Sequence, residues 1–274
     1  MVWQKDVQKG YPSSDLYTSG SPLIEGNVLI VLVGAKPDAC VIAFDKNTGQ
    51  EVWKALEEPA SASSPIVVNA DGKRQLIIWT PQSVTAIDPA TGNAYWRGRL
   101  NTTQDATVST PVHHDGNLLI GALMLKLDSD KPGTTVLWPE SRATARRILS
   151  DTSTALFRDD YIYSARSAGE FVCLEASTGN QLWETDTVTD LKSGASIHLT
   201  ANGDSAFLYN DRGDLIRAQL TPKGYQEISR ARVLEPAVTF SGRKTAWAAP
   251  AFANCHIYAR TNKELVYASL AAEP

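Results

Sequence analysis

The sequence has no run of about 18 apolar residues, the length a membrane-spanning helix requires; its longest apolar stretch, Val28 to Gly34, is strand-sized. No spanning helix is expected. Nor is there a basic excess: 26 Lys and Arg stand against 30 Asp and Glu, a formal net charge of -4. Such a balance cannot neutralise many phosphates, so nucleic acid is not an expected partner. Cysteine is scarce, and the three residues, Cys40, Cys173 and Cys255, are far apart and odd in number. That excludes a complete disulfide framework and predicts buried free thiols. The opening Met1-Val2-Trp3-Gln4-Lys5-Asp6 lacks the apolar run and small-residue cleavage site of an export signal. The protein therefore either stays inside the cell or is a processed or truncated product.

Catalytic signatures are missing too. There is no Gly-x-Ser-x-Gly elbow, no Walker-type phosphate loop and no His-Glu-x-x-His. His198 and His256 have no short-spaced partner. His113-His114-Asp115 puts two imidazoles on opposite faces of a strand, so they do not converge on a metal, and the segment reads as a solvated hairpin turn. Arg142-Ala143-Thr144-Ala145-Arg146-Arg147 is the clearest basic cluster and reads as a solvated loop, with contact to an acidic partner as the sharper alternative. Asn101-Thr102-Thr103 fits a glycosylation acceptor, a triplet frequent by chance.

What the sequence does have is a repeat. Its 274 residues, 43% hydrophobic, can bury a large core, and length alone allows one domain or two. Ala43-Phe44-Asp45-Lys46-Asn47-Thr48-Gly49-Gln50-Glu51-Val52-Trp53 recurs as Ala86-Ile87-Asp88-Pro89-Ala90-Thr91-Gly92-Asn93-Ala94-Tyr95-Trp96 and as Cys173-Leu174-Glu175-Ala176-Ser177-Thr178-Gly179-Asn180-Gln181-Leu182-Trp183. The first two tryptophans are 43 positions apart, and Trp138 fills the gap to the third at spacings of 42 and 45. A second landmark opens each unit: Ser21-Pro22, Ser64-Pro65, Thr110-Pro111, Thr154-Ala155, Ser196-Ile197 and Ala249-Pro250. Two independent anchors thus give one period and six units.

Between the anchors each unit reads as four short strands with turn signals, the size of a propeller blade. The expectation is an all-β propeller of about six four-stranded blades, a single domain over residues 1–274. The last unit stops before its Trp-bearing strand, and Val2 to Asp6 is expected to supply it, closing the ring and covering an open edge. The alternative is a piece of a seven- or eight-bladed propeller. In each motif the acidic residue (Asp45, Asp88, Glu175) and glycine (Gly49, Gly92, Gly179) form a hairpin turn. The tryptophans Trp3, Trp53, Trp96, Trp138 and Trp183 are expected to pack between neighbouring blades with the indole N–H on a backbone acceptor. Unit five places Ile228 near that slot.

The pattern Ala-x-Asp-x-x-Thr-Gly-x-x-x-Trp resembles the tryptophan-docking motif of the PQQ-like (pyrroloquinoline-quinone-like) propeller repeat family, which includes quinoprotein alcohol dehydrogenases and the propeller lipoprotein of the outer-membrane barrel-assembly machinery. The resemblance implies six to eight blades, an export signal, and a periplasmic or secreted location. Quinoprotein dehydrogenases of this family add a vicinal Cys-Cys disulfide, a Trp beneath the quinone, and carboxylate and Asn ligands for calcium. No two cysteines are adjacent here.

The reading is therefore a non-enzymatic scaffold or a ligand- or partner-binding propeller, without cofactor or metal, whose partner is a protein or small ligand on a propeller face. A PQQ-dependent oxidoreductase with calcium is the alternative. A carbohydrate- or polymer-binding propeller, using Trp79 or Trp247 as a sugar platform, is a second one. Since the first strand of a blade lies nearest the axis, the expected binding residues sit at unit starts: Ser64, Thr110, Thr154, Arg243, Lys244 and Trp247.

Overall fold

In the computed structural model, residues 1–11, 20–99, 108–139, 149–150, 152–192, 194–240 and 242–271 are described. The basic run at 142–147 and the triplet at 101–103 lie outside them. The chain divides into two compact units, Met1–Arg142 and Ala143–Pro274.

The first unit opens with a single helical turn, α1 (Val7–Gly10), capped by the Asp6 carboxylate, which accepts the Lys9 amide. Three antiparallel sheets of four strands follow, each a simple meander. They are β1 (Leu23–Glu25), β2 (Val28–Ala35), β3 (Ala39–Asp45) and β4 (Glu51–Ala55); β5 (Ile66–Ala70), β6 (Lys73–Trp79), β7 (Ser83–Ile87) and β8 (Ala94–Arg99); and β9 (Val112–His114), β10 (Asn117–Ile120), β11 (Leu123–Leu127) and β12 (Thr134–Trp138).

The second unit has two more four-stranded meanders: β13 (Leu156–Arg158), β14 (Tyr161–Ala165), β15 (Phe171–Glu175) and β16 (Gln181–Thr185); then β17 (Ile197–Asn202), β18 (Ser205–Asn210), β19 (Asp214–Thr221) and β20 (Gly224–Arg232). A hairpin of β21 (Val238–Phe240) and β22 (Arg243–Thr245) comes next, and a three-stranded sheet of β23 (Ala251–Ala253), β24 (His256–Arg260) and β25 (Leu265–Ser269) ends the series.

Burial explains the strand sequences. Middle strands such as β3 and β7 are enclosed on both faces; β3 reads as a continuous apolar run up to Asp45, and β7 buries Ser83 and Thr85 beside its apolar residues. Outer strands such as β4 and β16 expose most of their length. The core lies in layers between successive sheets: Leu32, Val41, Ala43 and Trp53 meet Leu76, Ile78 and Ile87 in the first unit. Phe171 and Cys173 meet Ile197, Leu208 and Ile216 in the second. Hairpin turns recur between first and second strands, as at Asp115 and Gly116, which take the positive φ that such a turn needs. His113 and His114 flank that turn on β9, one half-buried and the other exposed.

Three expectations need correction. The last sheet has three strands among the described residues, and Val2 to Asp6 is not a strand. Trp3 instead commits its indole N–H to the Lys46 carbonyl, and Asp6 caps α1. The hairpin β21–β22 is additional to the six units. Ile228 lies near the Trp position as expected, one residue from it: in the fifth sheet Arg217 pairs with Ser229, and Ile228 is passed over at the bulge, 48% exposed. Finally, Cys40 and Cys173 are buried free thiols but Cys255 is exposed.

Candidate functional site

The motif turns are built by local hydrogen bonds. The Asp45 carboxylate accepts the amides of Asn47 and Thr48 and the Thr48 hydroxyl, and these bonds hold its pKa below the ordinary carboxylate value. Asp88 accepts the Ala90 amide, and Glu175 the Thr178 hydroxyl. Gly49, Gly92 and Gly179 each donate back to the acidic residue's carbonyl, at 2.8, 2.9 and 2.8 Å, with positive φ.

Three tryptophans reach forward to the turn of the next sheet. Trp3 Nε1 donates to Lys46 O at 2.9 Å, Trp53 to Pro89 O at 3.0 Å and Trp183 to Thr221 O at 2.8 Å. Glycine is required where the ring lies on the turn: a Cβ at Gly92 would sit 2.8 Å from the Trp53 ring, and one at Gly49 2.7 Å from that of Trp3. Trp96 differs, donating to the Gln75 side chain within its own sheet at 2.9 Å. Trp138 is buried at the end of β12.

The residues expected at unit starts do precede first strands. In the first unit Ser64 Oγ accepts the Ser21 amide at 2.9 Å, joining the starts of the first two sheets, and Thr110 lies two residues before β9. In the second unit Thr154 lies two residues before β13, and the neighbouring Ser153 hydroxyl accepts the Ile197 amide at 3.0 Å. Arg243, Lys244 and Trp247 belong to β22 and the segment after it. Lys244 is exposed. Arg243 turns inward, its Nη2 2.5 Å from the buried Asp211 carboxylate but without the alignment of a hydrogen bond. Trp247 Nε1 donates to Gly194 O, its ring lies 4.3 Å from that of Phe240, and its carbonyl meets His198 Nε2 at 2.9 Å. Trp79, weighed as a sugar platform, is 5% exposed and cannot present a face to solvent.

Buried carboxylates are what sequence reasoning missed. Asp211 accepts the Thr189 hydroxyl at 2.5 Å and faces Arg243; its own carbonyl accepts the Ala246 amide. The signal was the Asn210-Asp211-Arg212-Gly213-Asp214 turn, too acidic for an inner turn unless its carboxylates are paired. Burial would raise the Asp214 pKa, but hydrogen bonds from Arg232 and Asn210 and the arginine charges outweigh it, and the net shift is downward. In the first unit Glu58, wholly buried, is held by Arg97, Thr80 and Ser83. Burial lowers the pKa of His198, against the opposing pull of the Trp247 carbonyl and Asp211. Glu58 and Asp211 tie loops to sheets, His198 meets the segment after β22, and Asp214 joins strands within the fifth sheet.

The vicinal disulfide of the quinoprotein dehydrogenases is not formed here. Cys40, Cys173 and Cys255 are free and none is adjacent to another. Among the described residues no three His, Cys, Asp or Glu side chains gather as a metal site.

The sequence pattern of outer membrane protein assembly factor BamB matches residues 1–124 and 127–223. The chain is 26% identical over 215 residues to BamB of Burkholderia pseudomallei, covering 72% of this chain and 53% of that protein. It is 24% identical over 160 residues to BamB of Bordetella pertussis, covering 58% and 39%. It thus spans about half the length, or less, of these curated relatives. Among solved structures, BamB from Moraxella catarrhalis superposes with a TM-score of 0.61 at 21% identity, over 90% of this chain and 70% of that one. A quinohemoprotein alcohol dehydrogenase from Pseudomonas putida HK5 superposes at 0.54 and 13% identity, over 88% and 50%. Likeness at these identities carries the β-propeller fold alone. The sequence pattern, which spans most of the residues, carries more: the chain belongs to the family of outer membrane protein assembly factor BamB, built from PQQ-like propeller repeats.

Proposed function

We propose that the chain is a non-enzymatic scaffold that binds protein partners during outer membrane protein assembly, on the periplasmic side of that membrane. The observation that carries this reading is the BamB sequence pattern along residues 1–124 and 127–223. The polar chemistry supports it: Asp211, Arg243, His198 and Glu58 are spent on internal bonds, which suits a rigid platform better than a set of reactive groups. The contact residues proposed are, in the first unit, the unit-start hydroxyls of Ser64 and Thr110, and, in the second, Thr154, Lys244 on the hairpin that Arg243 anchors, and Trp247 in the segment after it. No cofactor belongs to this reading.

A photo-crosslinking amino acid in place of Lys244, exposed on β22, tests it in cells. The expected adduct is an outer membrane protein or another factor of its assembly. Adducts confined to unrelated proteins would contradict the reading. Titration of the purified protein with PQQ and calcium should give no spectral change, and a quinone spectrum with dye-linked alcohol oxidation would instead establish the oxidoreductase.

A further inference from the structure

Four sheets share an arrangement that the fifth breaks. One step before the bulge, Ala43, Ala86, Met124 and Cys173 on the third strands pair with Trp53, Trp96, Trp138 and Trp183 on the fourth. The same register position in the fifth sheet pairs Arg217 with Ser229. An indole has been replaced by a hydroxymethyl group, and a small or apolar neighbour by a guanidinium. Close-packed interfaces do not refill such a loss by themselves.

A cavity of about 690 Å³, within the range of small-molecule sites, lies at this position between the fifth sheet and the last one. Arg217, Ser229, Phe207 and Leu215 line it from one side, and Phe252 from the other. In the fourth sheet Tyr163 and Phe171, which occupy the register positions of Phe207 and Leu215, lie 6.0 and 5.8 Å from the Trp183 ring. In the fifth sheet the same positions line the cavity, with Leu215 8% exposed and Phe207 meeting Phe252 of the last sheet. Phe207 and Phe252 stack at 5.4 Å and 10°, so the two sides of the cavity meet in an aromatic contact.

The lining contains Arg217 and Arg230 and no Asp or Glu. Arg230 is engaged by Glu227 at 2.8 Å. Arg217 is exposed and, among the described residues, has no carboxylate within ion-pair distance; its Nε makes a long hydrogen bond to Ser205 Oγ at 3.3 Å. Apolar rings beside a guanidinium that has no carboxylate partner among the described residues, in a lining without Asp or Glu, favour a ligand that is aromatic at one end and anionic at the other.

We propose that this vacated tryptophan position is a binding site for a planar aromatic ring carrying a carboxylate. The ring lies beside Phe207 and Phe252 where other sheets place their own indole, and the carboxylate pairs with Arg217. Two sources present that chemistry: a free aromatic acid, and a Trp-Asp pair on a peptide.

Calorimetric titration of the whole chain with indole-3-acetate, neutral indole and the blocked peptide acetyl-Gly-Trp-Asp-Gly-amide tests the assignment. At least one of the two acidic probes should bind, and more tightly than indole. Arg217→Met should weaken that binding about tenfold or more, the size of a lost charge-assisted hydrogen bond. Ser229→Trp should put an indole in the proposed ring position and abolish binding. A second readout needs no variant: Cys255 lines the cavity and is exposed, whereas Cys40 and Cys173 are buried, so a bound probe should slow its alkylation. Tighter binding of the peptide assigns the site to a partner segment, and tighter binding of indole-3-acetate to a small molecule; either upholds the proposal. Failure of both acidic probes to bind, indole binding as tightly as they do, or unchanged affinity in Arg217→Met would overturn it.

Discussion

Trp53 and Gly92 show how a repeat residue acts. The ring of Trp53, 7% exposed, spans from its own sheet to the next and lies on the α-carbon of Gly92 while its N–H is bonded to Pro89 O. Trp53→Ala is expected to cost about 3–5 kcal/mol in chemical denaturation, the range for deleting a large buried aromatic. Trp96→Ala should cost clearly less, because that ring is half-exposed and bonded within its own sheet; equal losses would refute the distinction. Gly92→Ala combines a φ of +78° with a Cβ 2.8 Å from the ring and should cost about 1–3 kcal/mol. The tryptophans were legible because their spacing repeats. Their partners were not: nothing within the Trp96 motif itself announces that Gln75, 21 positions earlier, takes its N–H.

His198 belongs to the same scale. Its folded pKa lies below the ordinary 6.5, chiefly through burial, so the unfolded chain binds the proton more readily. Stability from this group is complete above about pH 6.5 and is lost as pH falls through the folded value. His113 shifts in the same direction, so the wild type alone does not isolate His198. Denaturation of wild type and His198→Gln at pH 7.5 and 5.5 does so: the loss on acidification should be smaller in the variant. An identical loss would mean that His198 contributes nothing to it.

At the scale of elements, the hairpin β21–β22 is tied down by Arg243 on Asp211 and by the Ala246 amide on the Asp211 carbonyl. Removing one member of a buried pair strands the other charge, so Asp211→Ala should cost about 3–5 kcal/mol. The double variant Asp211→Leu with Arg243→Met should recover part of that. A double variant as unstable as the sum of its singles would show that the two side chains do not interact. The four-stranded meanders were legible from unit starts, since Ser-Pro and Thr-Pro break the chain just before a first strand. The hairpin was not read, although the last two unit starts stand 53 positions apart against 43 for the first two. That surplus is the inserted hairpin, and periodicity alone cannot say which residues compose it. Trp3 was legible by its residue type, but it carries the repeat's chemistry through its side chain, on the Lys46 carbonyl, without joining a ladder.

On the scale of the whole molecule, a single domain over residues 1–274 is a proposal, since the chain divides into two compact units. Calorimetry decides it. One transition with equal calorimetric and van't Hoff enthalpies is expected, and two resolved transitions would make the units separate domains. Function was the least legible property, because propeller repeats encode packing, and the residues that choose a partner stand outside the repeat on strands of any sequence. The proposed role makes one direct claim about the cell: outer membrane proteins need this protein to reach their folded, inserted form. Depleting it in the bacterium that encodes it and quantifying heat-modifiable outer membrane β-barrel proteins measures that need. Scaffold function in assembly predicts a fall in folded barrels that is restored by the wild-type protein; unchanged amounts of folded barrels after complete depletion would contradict it.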